Sequence, residues 1–149
     1  MPRWLAPALL LALAALLPAC ADQFAPTPTP TTFPDLLVDG VVATFETPGG
    51  TFNVFMAEEQ SIDEVLSVQR GESPARFPSG IIVAGDGAGD HNAPWSWHLH
   101  RQTVRMVESA PLLCDGTLQE VEADLQTWLQ NIGRFCPHDT ELASVTDYR

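Results

Sequence analysis

Between Ala25 and Pro34 the chain reads Ala-Pro-Thr-Pro-Thr-Pro-Thr-Thr-Phe-Pro, and this run decides where a fold can lie. Proline has a fixed φ and no main-chain N–H, so alternating prolines join neither a helix nor a central strand. They favour extended polyproline II, a semi-rigid stalk of about 30 Å at about 3.1 Å per residue. The 149-residue chain is thereby cut in two. Anything that builds a core comes from residues 35–149, a usual length for one globular domain.

Ahead of the stalk, Arg3 supplies one positive charge and Leu5 to Leu17 an apolar run broken only by Pro7. A membrane span needs about 20 apolar residues, so this run suits the core of a signal peptide. It closes on Leu17-Pro18-Ala19-Cys20, which resembles the lipobox of bacterial lipoproteins. The resemblance implies a signal peptide over residues 1–19 and cleavage after Ala19. Diacylglycerol on the Cys20 thiol and palmitate-type acylation would then attach the chain to a membrane. Residues 20–34 become a lipidated cysteine and its Pro/Thr-rich stalk. Ala21, rather than aspartate, follows the cysteine, which favours the outer membrane if the envelope has two.

The formal charge is −12 and every basic residue is Arg. A field this acidic repels phosphate backbones, so nucleic acid is excluded as a partner. Cys114 and Cys136 remain in the domain. An even pair in an oxidising, exported setting reads as a disulfide, stabilising by about 3 kcal/mol. The rival reading, a pair of catalytic or metal-binding thiols, lacks a close CxxC spacing.

Two β-rich runs, Val41 to Glu46 and Thr51 to Met56, flank Pro48-Gly49-Gly50 and predict a hairpin. Ser61 and Glu64 carry the spacing of a capping box and open a short helix ending at Gly71. Gly80 to Ala84 suits a buried strand, and Gly85 to Asp90 a loop. Trp95 to Leu99 and Thr103 to Glu108 predict two more strands. Thr117 and Glu120 repeat the capping box before a longer helix, with Leu118, Val121, Leu125, Trp128, Leu129 and Ile132 as its apolar stripe. Glu141 to Tyr148 adds a last strand. The expected class is α+β, an antiparallel or mixed sheet of about five to six strands, with one short and one longer helix on one face.

Asn92 to His100 carries the densest chemistry. On a strand, Trp95, Trp97 and Leu99 share one face, and Ser96, His98 and His100 the other. The tryptophans are either a stacking surface for a sugar or peptide or, more simply, core under the long helix near Trp128. His98 and His100 could chelate a transition metal, with Asp86, Asp90 or His91 completing the set. A solvated strand face is the plainer account, and no metal or cofactor is assigned. The Gly85 to Asp90 loop lacks the EF-hand ligand pattern. No nucleophile elbow or phosphate-cradling loop is present.

Asn92-Ala93-Pro94-Trp95-Ser96-Trp97-His98-Leu99, then Cys114-Asp115-Gly116, Val121-Glu122 and Gly133-Arg134-Phe135-Cys136-Pro137 resemble an uncharacterised family of small exported domains. The resemblance spans nearly the whole domain and implies a shared fold without a known activity. It also implies an acidic residue where this chain has His100, which leaves Asn92, Trp97 and His98 as candidates for a common role. The expected function is a lipid-anchored envelope domain that binds a protein, peptide or carbohydrate, or is purely structural. Candidate ligand-binding residues are Asn92, Trp95, Trp97 and His98. The rival is a hydrolase or metal-dependent enzyme centred on Asn92, His98 and nearby carboxylates.

Overall fold

In the computed structural model residues 37–149 are described; the expected signal peptide, the lipidated Cys20 and the proline stalk lie outside them. The predicted hairpin forms from β1 (Val41–Thr47) and β2 (Gly50–Met56), paired antiparallel from Val41 with Met56 to Thr47 with Gly50. Alternation along β2 sends Phe52, Val54 and Met56 into the main core. Phe55 on the opposite face packs with Leu37 and Val42 in a second cluster.

Helix α1 (Glu59–Gln69) buries Ile62 and Val65. Its end is a Schellman motif: Gly71, at φ +71°, donates to Val68 O, and Glu72 N donates to Ser67 O. Strand β3 (Phe77–Ala84) follows, then β4 (Trp97–Leu99), β5 (Arg105–Val107), β6 (Arg134–Phe135) and β7 (Glu141–Asp147). β7 returns to pair with β1, closing a three-stranded antiparallel sheet in the order β2-β1-β7. Along its length β3 pairs antiparallel with β4, β5 and β6 to make a four-stranded sheet.

The class is thus mixed α and β, with two corrections to the expected architecture. One sheet of five or six strands is replaced by two antiparallel sheets of three and four strands. The physical reason is that β1 and β3 each gather their own partners, so the sheets meet through side chains rather than a shared ladder. Phe52 joins them, with ring centroids 5.5 Å from Phe45, 6.1 Å from Trp97 and 5.8 Å from Phe135. Each large side chain buried there stabilises by about 1.5–3 kcal/mol.

The second correction inverts the helices. Among the described residues the short one expected after Ser61 is the longest continuous helix, whereas the longer one breaks into α2 (Leu118–Ala123), α3 (Leu125–Thr127) and a π-helical turn, Trp128–Ile132. Asp124 stands at the break with φ −136° and ψ 52°, its carboxylate accepting from Thr127 N at 3.4 Å. A short acidic side chain here offers the main chain an alternative to the helical ladder. The apolar stripe survives the break: Leu118, Val121 and Trp128 are buried.

Only one of the two capping boxes forms. Thr117 and Glu120 cap each other's main chain at α2. Ser61 lies inside α1, where its hydroxyl donates to Val104 O at 2.6 Å, and Glu64 Oε2 accepts from Met106 N at 3.0 Å. These side chains are spent on fastening the chain at β5. Beyond α3, Gly133 takes φ +72° and donates to Trp128 O, and β6 runs back along the helix. That reversal brings Cys136 to Cys114, with Cα atoms 5.3 Å apart, and the two form the expected disulfide. Among the described residues no helix is long and apolar enough to cross a membrane.

Candidate functional site

Asn92 sits where the loop after β3 passes β2, and only 1 % of it is exposed. Its Oδ1 accepts from Asn53 N at 2.7 Å, and its Nδ2 donates to Trp97 O at 2.7 Å. The Asn53 side chain extends the string, donating to His91 O at 2.7 Å and accepting from the Thr44 hydroxyl at 2.8 Å. The side chain singled out for a ligand therefore fastens one sheet to the other. Trp97 is fully buried against Phe52 and Phe135. The core account of the tryptophans describes it, although its packing partners are these two rings rather than Trp128. Trp95 is half-buried, 6.4 Å from Trp97 between centroids, with Nε1 donating to Thr51 O. It lies in a turn ahead of β4, because its own N donates to Asn92 O and Ser96 N reaches Glu122.

His98 is half-buried and keeps its place by Nδ1 bonding to the Gly85 carbonyl at 2.7 Å. His91, buried, does the same with the Ala88 carbonyl at 3.0 Å. A carbonyl only accepts, so each ring carries its proton on Nδ1 and turns Nε2 to whatever else is near. The two rings meet edge to face at 5.7 Å, and His91 meets Phe55 at 6.1 Å. Burial lowers the His91 pKa from its ordinary 6.5; the Ala88 carbonyl opposes this, His98 adds to it, and Asp86 opposes it. Gly87 makes the arrangement possible: at φ +89°, a Cβ there would lie 2.1 Å from His91 Cε1.

His98, His100, Arg101 and Phe55 surround a cavity of about 220 Å³, completed by Ala88, His91 and Leu99. Arg101 places its guanidinium carbon 6.0 Å above the Phe55 ring, a cation–π distance. Asp86 and Asp90 are outside this lining. Among the described residues no three His, Cys, Asp or Glu side chains converge as metal ligands. The structure brings His98 and His100 to one cavity but pairs His98 with His91, and leaves the two aspartates apart from it. In the sequence Arg101 is only part of a loop; the polarity of Arg-Gln after His98-Leu99-His100 is the available signal.

A second histidine site is not evident from the sequence pattern. Asp115 Oδ1 accepts from Gly116 N at 3.0 Å and His138 N at 2.9 Å, while His138 Nδ1 lies 3.5 Å from Asp115 Oδ2. His138 also stacks on Phe77 at 4.7 Å. Beside it Glu46, Arg76, Asp139 and Thr140 help line an open groove of about 520 Å³. A signal exists nonetheless: Asp115 follows Cys114 and His138 lies two beyond Cys136, so pairing the cysteines brings both together.

Among known proteins, the family model described as the BP-74 N-terminal domain matches residues 40–148. No curated protein and no solved structure matches the chain.

Proposed function

The chain belongs to the BP-74 N-terminal domain family, and from that premise we propose that it is a lipid-anchored domain of the bacterial envelope that binds a ligand without transforming it. The observation that carries this reading is what the Asn92–His100 segment leaves over once folded. Asn92 has both amide ends bonded to main chain and Trp97 has no exposed surface. What remains is a concave space walled by imidazoles and a guanidinium, with no carboxylate or hydroxyl side chain in its lining among the described residues. No serine, threonine or carboxylate nucleophile or carboxylate pair among them faces this space, so its chemistry is that of imidazole and guanidinium alone. A small concave space with a guanidinium at its rim and held imidazoles on its wall suits recognition. The partner is a protein, peptide or carbohydrate of the envelope, reached by a domain held off the membrane on the Cys20 lipid and its proline stalk.

Crosslinking in the native envelope followed by pull-down tests the binding reading, with His98→Ala as control. A partner captured by the parent and lost with the variant is the expected result; equal capture by both removes His98 from the site. Cys20→Ala tests the anchor. It should abolish lipid labelling and release the chain from membranes, and a variant that still pelleted unchanged would end the lipoprotein reading.

One observation favours the rival, a hydrolase or metal-dependent enzyme on Asn92, His98 and nearby carboxylates. Metal-binding imidazoles are commonly oriented by a backbone carbonyl on the other ring nitrogen, as His91 and His98 are here. Calorimetry with zinc and copper tests its metal-dependent form: no heat, and no change on His98→Ala, removes metal binding from this reading.

A further inference from the structure

We propose that the free edge of β7 takes up an extended, basic peptide segment as a fourth strand of the β2-β1-β7 sheet. The proposal adds a second surface to the binding reading above and does not use the His98 cavity. Its first support is the main chain. In that sheet β2 and β7 are the outer strands, and the edge of β2 is closed: Asn53 N donates to Asn92, and Thr51 O accepts from Trp95. β7 has no such cover. It pairs with β1 on one side, and among the described residues no other element bonds to its main chain from Glu141 to Asp147. Successive residues of a strand turn their main-chain groups to opposite sides, so about half of those groups face away from β1. An extended chain is what matches such a row of donors and acceptors.

The second support is the space beside that edge. A groove of about 410 Å³ is lined by consecutive residues, Thr140 to Ser144, with Val68, Gln69, Ala75 and Arg76 completing it. Alternate side chains leave a strand on opposite faces, so consecutive residues share a groove along the main-chain edge. At Arg76, Thr140 and Glu141 it runs into the groove of about 520 Å³ beside His138. Thr140, 8 % exposed, stands at this junction, and its hydroxyl has no hydrogen-bond partner among the described residues. A buried polar group is costly to leave unpaired, and an incoming main chain supplies the missing partner.

Charge and shape choose the occupant. Among the described residues the joined grooves carry Glu46, Asp139 and Glu141 against the guanidinium of Arg76, in a chain of net charge −12. A second copy of this chain brings the same excess of acid to the same edge. β7 also holds one residue more than β1 at Ala143, since Thr44 pairs with Ser144 and Phe45 with Leu142. Such a bulge twists an edge away from the edge of another sheet, whereas a single flexible segment follows it. The occupant is therefore a lone basic segment.

Titration of the full chain with the fluorescein-labelled peptide Lys-Thr-Lys-Val-Lys-Thr-Lys, read by anisotropy, tests the proposal. Saturable binding is expected, with slowed amide exchange over residues 141–147. N-methylation of alternate residues removes the N–H groups along one edge of the peptide. One comparison peptide is methylated at both threonines and the valine, the other at three lysines. The series whose lost donors faced β7 should bind about tenfold or more weakly, and the other as the parent peptide does. Glu141→Gln with Asp139→Gln should weaken binding severalfold; both residues are exposed, so the fold should persist, and unchanged near-ultraviolet circular dichroism verifies that. Asp90→Asn, in the loop beyond β3, should bind as the parent chain does. Absent binding, methylated series that do not differ, slowed exchange that leaves β7 out, or no effect of the Glu141→Gln and Asp139→Gln pair overturns strand addition by a basic segment. Sedimentation showing a dimer that the peptide dissociates assigns the edge to a second copy and overturns it too. If the peptide fails while envelope crosslinking still yields a His98-dependent partner, this inference falls and the binding reading stands.

Discussion

Two histidine-bearing regions of this domain solve opposite problems with the same side chain. At the Asn92–Arg101 end, imidazoles are held by main-chain carbonyls, and one of them is buried, which disfavours its charge. At the disulfide end, His138 stands half-exposed beside the Asp115 carboxylate. The first region is fixed by hydrogen bonds that cross between sheets, the second by a covalent bond. Histidine chemistry is set by what holds the ring rather than by the residue, and the two ends should fail in different ways.

The largest expected effect is at the hydrogen-bonded end. Asn92→Ala orphans the part-buried main-chain N of Asn53 and the buried carbonyl of Trp97, such a group costing about 1–3 kcal/mol when left unpaired. A total loss of about 4 kcal/mol in chemical denaturation is expected, and a loss under about 1 kcal/mol would mean that Asn92 does not fasten the sheets. Next comes the covalent end. Cys114→Ser with Cys136→Ser opens a loop of sequence separation 22, for about 3 kcal/mol. Hydrogen exchange should rise mainly around Leu112–Cys114 and β6; an increase confined to Asn92–Leu99 would contradict the separation of the two ends.

A smaller effect depends on pH. Because burial lowers the His91 pKa, the unfolded chain takes up a proton at a pH where the folded chain still holds His91 neutral. The unfolded state then binds more protons, so stability is full above the ordinary 6.5 and declines as pH falls below it, until the folded-state ring protonates too. His91→Gln should flatten that part of the stability profile, and an unchanged slope would assign the decline elsewhere. The smallest effect belongs to Asp115→Asn. It retains the Oδ1 acceptor and weakens only a partly exposed contact at 3.5 Å, so less than about 1 kcal/mol should be lost.

The sequence made the hairpin legible because β1 and β2 are β-rich runs closely flanking a Pro-Gly turn, a local pattern that tertiary contacts had no reason to override. The two capping boxes show the limit. Thr117 and Glu120 behave as their spacing says, while Ser61 and Glu64, equally spaced, are drawn to Val104 and Met106. Nothing within four residues distinguishes the cases, since the competitors lie about forty positions away in the chain, as Glu64 and Met106 do. Likewise the apolar stripe from Leu118 to Ile132 continues through Asp124 and hides the break there. Of the candidate site, Asn92, Trp97 and His98 stood out in the sequence. Their roles did not, because the string through Asn53 needs β2 beside the loop and the His91–His98 contact needs the tight turn at Gly87.

The string from Thr44 through Asn53 to Asn92 also works as a proofreader of strand alignment. Side chains in a strand change face at every step, so sliding β2 by one residue against β1 would turn Asn53 away from both Thr44 and Asn92. A misaligned hairpin would therefore lose its polar link to the second sheet together with the burial of Phe52, and only the correct alignment can dock.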